Sequence, residues 1–377
     1  MNSMDLIPVS RPSLGDEELA SVKTVFSSGW LGLGVQVLEF EQELQKFLGA
    51  KHAVCTNTGT TAIHLALDAL GIGKGDEVIV PSFTFVATLQ AIAQTGAKPV
   101  FCDIHADTLN TDARDAAQRI TKKTKAIVPV HYRGIPCDMD AIHALAQEYN
   151  LHVVEDAAHA FGSSYKKKKI GSFGEVSCFS FDPIKNISCG EGGVVVFNDD
   201  NLLEIVQQKR ILGIDKDTWS RYRNERSWFY DVVTQGYRYH MSNINAAIGL
   251  SQIKKYDRMN KHKVAVAKRY DEAFEGIPGL TLLDTADNYK DIGLFVYIVK
   301  VNTGRNELMD HLGTHGVGSG IHYIPCHNFT LYKNLKHDLP VTDEIYGQIL
   351  TLPLFPDITD EQVDRVIAAV KSGMKAA

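Results

Sequence analysis

One lysine near the middle of the chain has the surroundings that amine chemistry requires. Lys185 lies in CFSFDPIKNISCGEGG, residues 178–193, after an apolar strand-like run and before a glycine-rich turn. Glycines let the backbone approach a ligand closely. Apolar neighbours lower the pKa of a lysine, which favours the neutral amine that forms a Schiff base. The alternative is that Lys185 is an ordinary solvated lysine, as most lysines in loops are. Other motifs in the chain must therefore distinguish the two interpretations.

An aspartate at the end of another apolar run offers a second chemical group. Asp156 lies in HVVEDAAHAFG, residues 152–162, directly after a predicted strand. Open α/β sheets bind their ligands at the carboxyl ends of their strands. The alternative is that Asp156 only caps a following helical turn. For His159, three residues later, the choice is likewise between a catalytic and a structural histidine.

The segment TNTGTTAIHLAL, residues 56–67, has the pattern of a phosphate site. Small hydroxyl residues and Gly59 stand between a predicted strand and a predicted helix. The free N–H groups and the dipole of a helix N-terminus stabilise a dianion at such a position. The segment is not a Walker A loop, because no Gly-Lys-Ser/Thr follows it. An ordinary capped helix would have the same pattern.

Together the three motifs match the requirements of one cofactor, pyridoxal 5'-phosphate (PLP). PLP needs an anchored phosphate, a lysine for its aldehyde, and a carboxylate that keeps its pyridine nitrogen protonated. The aspartate and the lysine are 185 − 156 = 29 residues apart, which leaves room for one strand–turn–strand excursion. An aromatic residue to stack on the ring is available at Phe85 or Phe83.

Up to about residue 200, the segments that must position these residues alternate between strand-like and helical sequence patterns. Short β-branched runs separated by stretches of helical period predict βαβ units and a mostly parallel sheet with helices on both faces. The predicted strands are 53–58, 76–82, 98–104, 125–131, 151–157, 175–181 and 192–197. The predicted helices are 12–29, 35–49, 59–72, 85–96, 113–120 and 139–150.

Beyond residue 200 the pattern becomes helical and then mixed. We therefore predict an α/β fold with a large PLP-binding domain over residues 1–255 and a smaller α+β domain over residues 256–377. The N-terminal helices are expected to pack on the small domain. The predicted elements after residue 200 are helices over 202–212, 244–276, 305–316 and 360–373, and strands over 293–301 and 318–324.

Length and composition exclude several classes of protein. At roughly 150 residues per domain, 377 residues suggest about two domains. The net charge of 39 − 45 = −6 gives no basic surface for nucleic acid. No apolar run reaches the roughly 18 residues of a membrane span, and we expect no signal peptide. The six cysteines form no CxxC pair, so we expect buried free thiols, no metal site and a cytoplasmic location.

In combination these motifs resemble those of the nucleotide-sugar aminotransferases of the DegT group, which are fold type I PLP enzymes. The resemblance covers essentially the whole chain. It implies an aspartate aminotransferase-like fold and a homodimer whose active sites lie at the interface. The motifs that carry it are NTGTTAIHLAL, DEVIVPSFTFVAT, PVFCDIHADTLN, EDAAHAFGSSY, CFSFDPIKNISCGEGG, GYRYHMSNINAAIGLSQ and GIHYIP.

The resemblance also implies roles for individual residues. Lys185 is the lysine that binds PLP covalently, and Asp156 pairs with the pyridine nitrogen. The remaining implied contacts are Gly59, Thr60 and Ser180 at the phosphate, Phe85 on the ring and His159 against the cofactor.

One implied contact of the family differs in this chain. In the family an asparagine in or near the GYxYxMS stretch reaches across the dimer to the partner's PLP phosphate. This sequence has Arg238 and His240 in that stretch, and either basic residue is able to meet a phosphate. Some relatives are dehydratases that have histidine in place of the lysine, and Lys185 argues against that branch.

The implied reaction moves an amino group from L-glutamate to a keto-sugar nucleotide. The IKNISC and DAAHA segments are most similar to the corresponding segments of family members that aminate C4 of a 4-keto-6-deoxyhexose or 4-keto-pentose nucleotide. Such amino sugars serve surface polysaccharides, including the O-antigen of lipopolysaccharide. The alternatives are amination at C3, a PLP-dependent sugar dehydratase, and a non-catalytic sugar-nucleotide sensor. A nicotinamide-dependent enzyme is disfavoured because TGTT, not GxGxxG, follows the first strand.

Several further residues are candidates for contacts with the substrates. Trp30 in a glycine-rich loop and the histidines of the C-terminal region, His322 and His327, are candidates for the sugar side of the site. An anionic diphosphate also requires local cations, although a surface arginine is more often simply solvated. The candidate cations are Arg221, Arg223, Arg226 and Arg238.

Overall fold

The computed structural model describes residues 6–215, 230–284, 289–335 and 338–376. Its largest element is a seven-stranded sheet, and every strand of the sheet is largely buried. A separate two-stranded hairpin consists of β6 (Ser164–Tyr165) and β7 (Lys168–Lys169). The strands of the large sheet are β1 (His52–Thr56), β2 (Glu77–Pro81), β3 (Lys98–Cys102), β4 (Thr124–Ile127), β5 (His152–Asp156), β8 (Val176–Ser180) and β9 (Gly193–Phe197).

The strand order brings the predicted motifs to one edge of this sheet. The order is β1-β9-β8-β5-β4-β2-β3, and the run from β8 to β3 is parallel. Because β9 pairs antiparallel with both β8 and β1, β1 again runs in the direction of β5 and β8. The carboxyl ends of β1, β5 and β8 therefore meet at the same edge, as sites in open α/β sheets require. Lys185 lies in the loop that joins β8 to β9.

Helices cover both faces of the sheet, as the alternating pattern predicted. Local sequence sets several of their ends: the Thr58 and Asp138 side chains cap helix N-termini, and Gly49 ends a helix in the left-handed conformation. The helices are α1 (Asp16–Ser28), α2 (Val35–Leu48), α3 (Gly59–Ala69), α4 (Val86–Gln94), α5 (Ala113–Gln118), α6 (Met139–Tyr149) and α7 (Asp200–Arg210).

The edge strand β1 is closed by a buried ion pair. Glu41 of α2 accepts the Cys55 N–H at 2.8 Å, and Arg210 of α7 donates to the Cys55 carbonyl at 3.2 Å. Glu41 and Arg210 also pair with each other. Unpaired backbone groups make an exposed edge strand a template for association. The ion pair satisfies those groups and holds the strand that leads into the TNTGTT segment.

A long helix connects the two parts of the molecule. Helix α8 (Asn243–Phe274) has 32 residues, so it is about 48 Å long. Helices α1 and α2 pack against its first half, and α11 (Asp360–Ala376) packs against it as well. Residue 255, the predicted domain boundary, falls inside this continuous helix.

A smaller antiparallel sheet follows α8. It contains β10 (Leu280–Leu282), β11 (Tyr297–Val301) and β12 (Ile349–Leu352), of which only β11 was predicted. The predicted helices over 305–316 and 360–373 correspond to α9 (Arg305–Thr314) and α11. The pattern gave no signal for α10 (Pro340–Gln348).

Two strand predictions in this region were wrong in extent or kind. The strand predicted over 293–301 begins only at Tyr297, because the preceding N–H groups bind elsewhere: Leu294 donates to Asn260 and Phe295 to the Arg133 carbonyl. The strand predicted over 318–324 is not a strand. It makes one isolated bridge, Gly320 with Thr351, and its next residues His322 and Tyr323 line a cavity at the end of the large sheet.

All six cysteines are free and buried, as predicted. Burial raises the pKa of the thiols of Cys55, Cys102 and Cys178 well above the ordinary value, and raises that of Cys326 to about 12. None of the helices in the described ranges combines the length and the apolar composition that crossing a membrane requires.

Candidate active site

A cavity of about 350 Å³ opens at the carboxyl edge of the large sheet. Its walls come from the starts of α3 and α4, the ends of β5 and β8, the loop after β8, and the segment around residue 322. The sequence-predicted residues that line it are Gly59, Thr60, Phe85, Asp156, His159, Ser180, Lys185 and His322. Residues from six separate parts of the chain thus converge on one space.

Asp156 is held rigidly at the end of β5, where it is only 5% exposed. Its Oδ2 accepts the Thr88 hydroxyl at 2.7 Å, and its Oδ1 accepts the Ala158 N–H at 3.1 Å. Its backbone is also paired, with the N–H donating to the Pro129 carbonyl at 2.9 Å. The bond to Ala158 is the local capping role that the sequence left open. The bond from Thr88 fixes the carboxylate towards the cavity.

Lys185 lies opposite, with its amine in an apolar setting. Its Nζ sits 4.5 Å from the centroid of the Phe295 ring, and its backbone N–H donates to the Asp182 carbonyl at 3.0 Å. Burial lowers the pKa of the Lys185 amine to about 8, although Asp156 and Asp182 oppose the shift. About a tenth of the amine is therefore neutral at pH 7, far more than for a solvated lysine, as nucleophilic amine chemistry requires.

The start of α3 meets the end of β8. Thr58 caps the helix by accepting the Thr61 N–H at 3.1 Å, which leaves the N–H groups of Gly59 and Thr60 without acceptors inside the helix. A Cβ at Gly59 would lie 2.7 Å from the Cβ of Ser180, so only glycine permits this approach. Two free N–H groups, the positive end of the helix dipole and the Ser180 hydroxyl therefore form a cradle for an anion.

His159 is buried between aromatic rings. It stacks on Phe295 with ring centroids 4.2 Å apart, and its Nε2 shares a hydrogen bond of 2.9 Å with the Tyr323 hydroxyl. Burial, together with the charges of Lys185 and His322, lowers the pKa of His159 well below its ordinary value. Its Nδ1 is buried and has no hydrogen-bond partner among the described residues. Such an unpaired buried atom is costly unless a ligand satisfies it.

The two aromatic candidates of the PSFTF segment are separated by the structure. Phe83 is buried in the core, next to Tyr132. Phe85 stands at the start of α4, lines the cavity and is 53% exposed. Its ring lies 5.5 Å from the ring of Tyr323, tilted by 45°. Phe85 is therefore the residue available to cover a planar ligand.

Comparison with protein-family models identifies the chain. The model of the DegT/DnrJ/EryC1/StrS aminotransferase family matches residues 12–371. The chain belongs to this family. Its fold is correspondingly that of the PLP-dependent sugar aminotransferases, as the sequence motifs implied.

Individual relatives of this aminotransferase cover nearly its whole length. It is 41% identical over 381 residues to the spore coat polysaccharide biosynthesis protein SpsC of Bacillus subtilis, covering 98% of each chain. Spr1654 of Streptococcus pneumoniae, assigned as a sugar aminotransferase, superimposes with a TM-score of 0.92 at 32% identity, covering 98% of this chain and 99% of the other. DesV of S. venezuelae, solved with a ketimine intermediate, has a TM-score of 0.88 at 35% identity, covering 95% and 94%.

Enzymes of this family depend on PLP, and Spr1654 is known in both PLP and PMP forms. The cavity of this aminotransferase fits the cofactor on three independent grounds. The amine of Lys185 has a lowered pKa, Gly59 leaves an anion cradle, and His159 keeps a buried nitrogen unpaired. Among the described residues no three His, Cys, Asp or Glu side chains are grouped as metal ligands would be.

Three predicted site residues of the aminotransferase lie outside this cavity. Trp30, Arg238 and His240 line a second depression of about 340 Å³ on the other side of the end of β1. His240 forms an isolated bridge with Thr56, which places this segment beside the TNTGTT motif but not inside the cavity. Burial lowers the pKa of His240, with Arg238 and Arg210 adding to the shift.

The placement of His327 corrects another expectation. Its ring is buried and fully engaged, with Nδ1 bound to Ser82 at 2.8 Å and Nε2 to Asp343 at 3.0 Å. It does not line the cavity. By contrast, His322, the other histidine predicted to contact the sugar, lines the cavity. Its Nδ1 binds Thr351 at 3.0 Å, and burial lowers its pKa to about 4. Arg221, Arg223 and Arg226 lie outside the described residues.

Sequence reasoning missed several residues that shape the cavity. Tyr323 was within the GIHYIP motif but was not assigned a role, and Thr88 follows Phe85 by three residues, which is the spacing of one helical turn. Phe295 is 295 − 185 = 110 residues from the lysine it contacts, so no local pattern could have indicated it. The acids Asp182 and Glu191 also line the wall.

Proposed function

We propose that this aminotransferase moves an amino group from L-glutamate to C4 of a keto-sugar nucleotide, a 4-keto-6-deoxyhexose or 4-keto-pentose, to give an amino sugar for surface polysaccharide. The observation that carries the proposal is one cavity in which a low-pKa lysine faces a buried carboxylate beside a helix N-terminus. The name of SpsC, a polysaccharide biosynthesis protein, supports the product class.

The phosphate of PLP would be held by the cradle at the start of α3. The N–H groups of Gly59 and Thr60 and the Ser180 hydroxyl would donate to it, and the helix dipole would stabilise its charge. When bound, PLP supplies an electron sink that lowers the cost of removing a proton from a carbon bearing an amine.

Asp156 and Lys185 divide the proton chemistry. The Asp156 carboxylate is fixed by Thr88 and the Ala158 N–H, and it would keep the pyridine nitrogen of PLP protonated. The Lys185 amine would carry a proton away from the donor's Cα as a general base and later return one as an acid. A pKa near 8 suits both directions of transfer.

His159 and the aromatic residues would orient the ring and exclude water. Because His159 is neutral and buried, it can stand against the cofactor without adding a charge there. Phe85 covers the ring from the open side, and Tyr323 holds His159 by a hydrogen bond. Of the two histidines that line the described part of the cavity, His322 is the one that we assign to the sugar.

A second copy of the chain would complete the site. Among the described lining residues Lys185 is the sole lysine or arginine, yet both substrates are anions. We propose that Arg238 and His240 serve the partner's cavity in a homodimer, with Trp30 beside them. The apolar side chains of Val232 and Val233 near this segment are more than half exposed, which supports a covered surface there.

The first test is Lys185→Ala. The variant is expected to lose both the borohydride-reducible PLP adduct and all transamination, because no other amine lines the described part of the cavity. Lys169→Ala is the matched control, since Lys169 lies on the β6–β7 hairpin, is partly buried against Phe47 and does not line the cavity. A reducible adduct retained at the same place by Lys185→Ala would refute the assignment.

The second test identifies substrate and position. A panel of 3-keto and 4-keto sugars on UDP, dTDP, GDP and CMP is incubated with glutamate and read by the product's mass. We expect the mass change of amination with a 4-keto substrate. Amination only of 3-keto substrates would favour the C3 reaction, and loss of water a dehydratase. A colourless protein in the presence of PLP would favour a sensor.

The location that we propose is the cytoplasm. All six cysteines are free and buried, which is typical of proteins from a reducing compartment.

A further inference from the structure

A second buried lysine lies close to Lys185 but outside the cavity. Lys263, in the middle of α8, is only 4% exposed. Its Nζ donates to the Asn186 side-chain oxygen at 2.9 Å and to the Leu294 carbonyl. It forms no ion pair with any carboxylate of the described residues. A buried amine with only neutral acceptors is costly to keep charged, and burial lowers the pKa of Lys263 to about 7.

Asn186, the residue directly after Lys185, is the centre of a buried network. Its amide nitrogen donates to the Gly293 carbonyl at 2.9 Å and to the Phe161 carbonyl at 3.1 Å, with a longer bond to the His159 carbonyl at 3.4 Å. Its oxygen accepts from Lys263. The side chain therefore uses both its donor and its acceptor groups in the interior.

The segments joined by this network carry the groups around the Lys185 amine. One segment begins with His159, whose ring stacks on Phe295. The other is 293–295, and it ends with Phe295, which lies 4.5 Å from Lys185 Nζ. Leu294 is held to α8 from both sides, because its carbonyl accepts from Lys263 and its N–H donates to Asn260 at 3.0 Å.

We propose that Lys263 and Asn186 are positioning residues that set the place of the Lys185 amine relative to Asp156 and the Phe295 ring. Asn186 fixes the backbone on one side of Lys185, and Lys263 ties both Asn186 and the Phe295 segment to the long helix. This inference rests on the proposed role of Lys185 as the cofactor's lysine. It concerns where the amine is held, not whether it reacts.

A lysine on the same helix provides the matched control. Lys255 is also shielded, but it pairs with Glu18 and Glu17 of α1, and among the described residues it has no hydrogen bond or ion pair with the Lys185 loop. Replacing either lysine by methionine removes the amine from α8 and keeps an unbranched side chain of similar length. Both variants are expected to lose thermal stability, so stability alone does not distinguish a positioning role from a structural one.

The experiment compares Lys263→Met, Asn186→Ala, the double variant and Lys255→Met as PLP-loaded proteins. Two quantities are measured: the pH midpoint of the visible absorption band of the lysine-bound cofactor, and the single-turnover rate of its bleaching by glutamate. For Lys263→Met we expect a shifted midpoint and a rate about 10- to 100-fold lower, because a misplacement near 1 Å costs about that much. Lys255→Met should change neither quantity.

The double variant tests whether Lys263 acts through Asn186. We expect it to be no slower than the slower single variant, since the two residues would belong to one unit. Should Lys263→Met not fold, Asn186→Ala alone carries the same two readouts. An unchanged midpoint and an unchanged rate in the folded variants would overturn the inference. A wild-type protein without the visible band would instead refute the proposed function itself.

Discussion

One wall of the cavity consists of the ends of regular elements, whereas the opposite wall consists of irregular backbone from far along the chain. The first, which we call the strand wall, is formed by Gly59, Phe85, Asp156 and Ser180. The second, which we call the loop wall, is formed by His322 and Tyr323. Phe295 stacks on His159, which in turn stacks on Tyr323.

The two walls differ in how their polar groups are held. Asp156 in the strand wall binds the N–H of a residue two positions away and a hydroxyl on the first turn of α4. The loop-wall residues rely on contacts between side chains distant in sequence: Tyr323 with His159, and His322 with Thr351. We infer that the strand wall fixes the chemistry common to all substrates, while the loop wall adapts to the particular sugar.

The strand wall should be most sensitive at its carboxylate. Asp156→Asn keeps an acceptor for Thr88 but removes the charge that holds a proton on the pyridine nitrogen. We expect kcat to fall on the order of 100- to 1,000-fold, comparable to the loss of other preorganised electrostatic groups. Steady-state kinetics with glutamate measures this. Asp107→Asn, an exposed control, should behave like the wild type.

The next effect should appear at the glycine of the anion cradle. In Gly59→Ala the new Cβ would lie 2.7 Å from the Ser180 Cβ, so α3 or β8 must shift. Such overpacking costs about 1–3 kcal/mol, which corresponds to a PLP affinity roughly 5- to 150-fold weaker. Fluorescence titration of the apoprotein with PLP measures it. Gly313→Ala, where no atom lies within 4 Å of the new Cβ, should leave the affinity unchanged.

The lysine that faces the strand wall gives a pH dependence of known sign. Only the deprotonated amine attacks PLP, so the association rate should rise with pH and level off above the pKa of about 8. Between pH 7 and pH 9 the neutral fraction grows from about 0.09 to about 0.91, a roughly tenfold increase. Stopped-flow mixing of apoprotein and PLP reads this directly. A rise centred above pH 10 would mean that the lysine is ordinarily solvated.

The loop wall should give the smallest and most substrate-specific change. Tyr323→Phe keeps the ring against Phe85 but removes the hydrogen bond to His159. A net loss of about 1 kcal/mol predicts an effect of about fivefold. We expect most of it in the KM for the keto sugar, with a smaller loss of PLP affinity because Tyr323 also holds His159. An equal loss in PLP affinity would erase the proposed difference between the walls.

The same division explains what the sequence could predict. Gly59, Asp156 and Ser180 stand at element ends, and the alternation of short strands and helices is enough to place such ends at one edge of a sheet. Lys185 was found because its loop lies between two strands of that sheet. These residues needed only local patterns and the rule for open α/β sheets.

The loop wall could not be predicted in this way. The 318–324 run has the composition of a strand, but its only isolated bridge joins Gly320 to Thr351, and His322 and Tyr323 line the cavity instead of continuing a ladder. His327 has the same residue type as His322, yet Ser82 and Asp343 occupy both its ring nitrogens. Local sequence does not contain such distant partners. Trp30, Arg238 and His240 also show that nearness in a motif does not specify which cavity a residue lines.

Because its six cysteines are buried, the native protein should react very slowly with thiol reagents. Only the thiolate reacts, and burial keeps these thiols both protonated and out of reach. Cys178 and Cys326 pack in one buried cluster, Cys55 and Cys189 in a second, and Cys102 and Cys137 in a third. Each pair of thiols therefore becomes available only when its own part of the core opens. One alkylating reagent with peptide mapping would therefore record the order in which the parts of this enzyme come apart, with and without PLP.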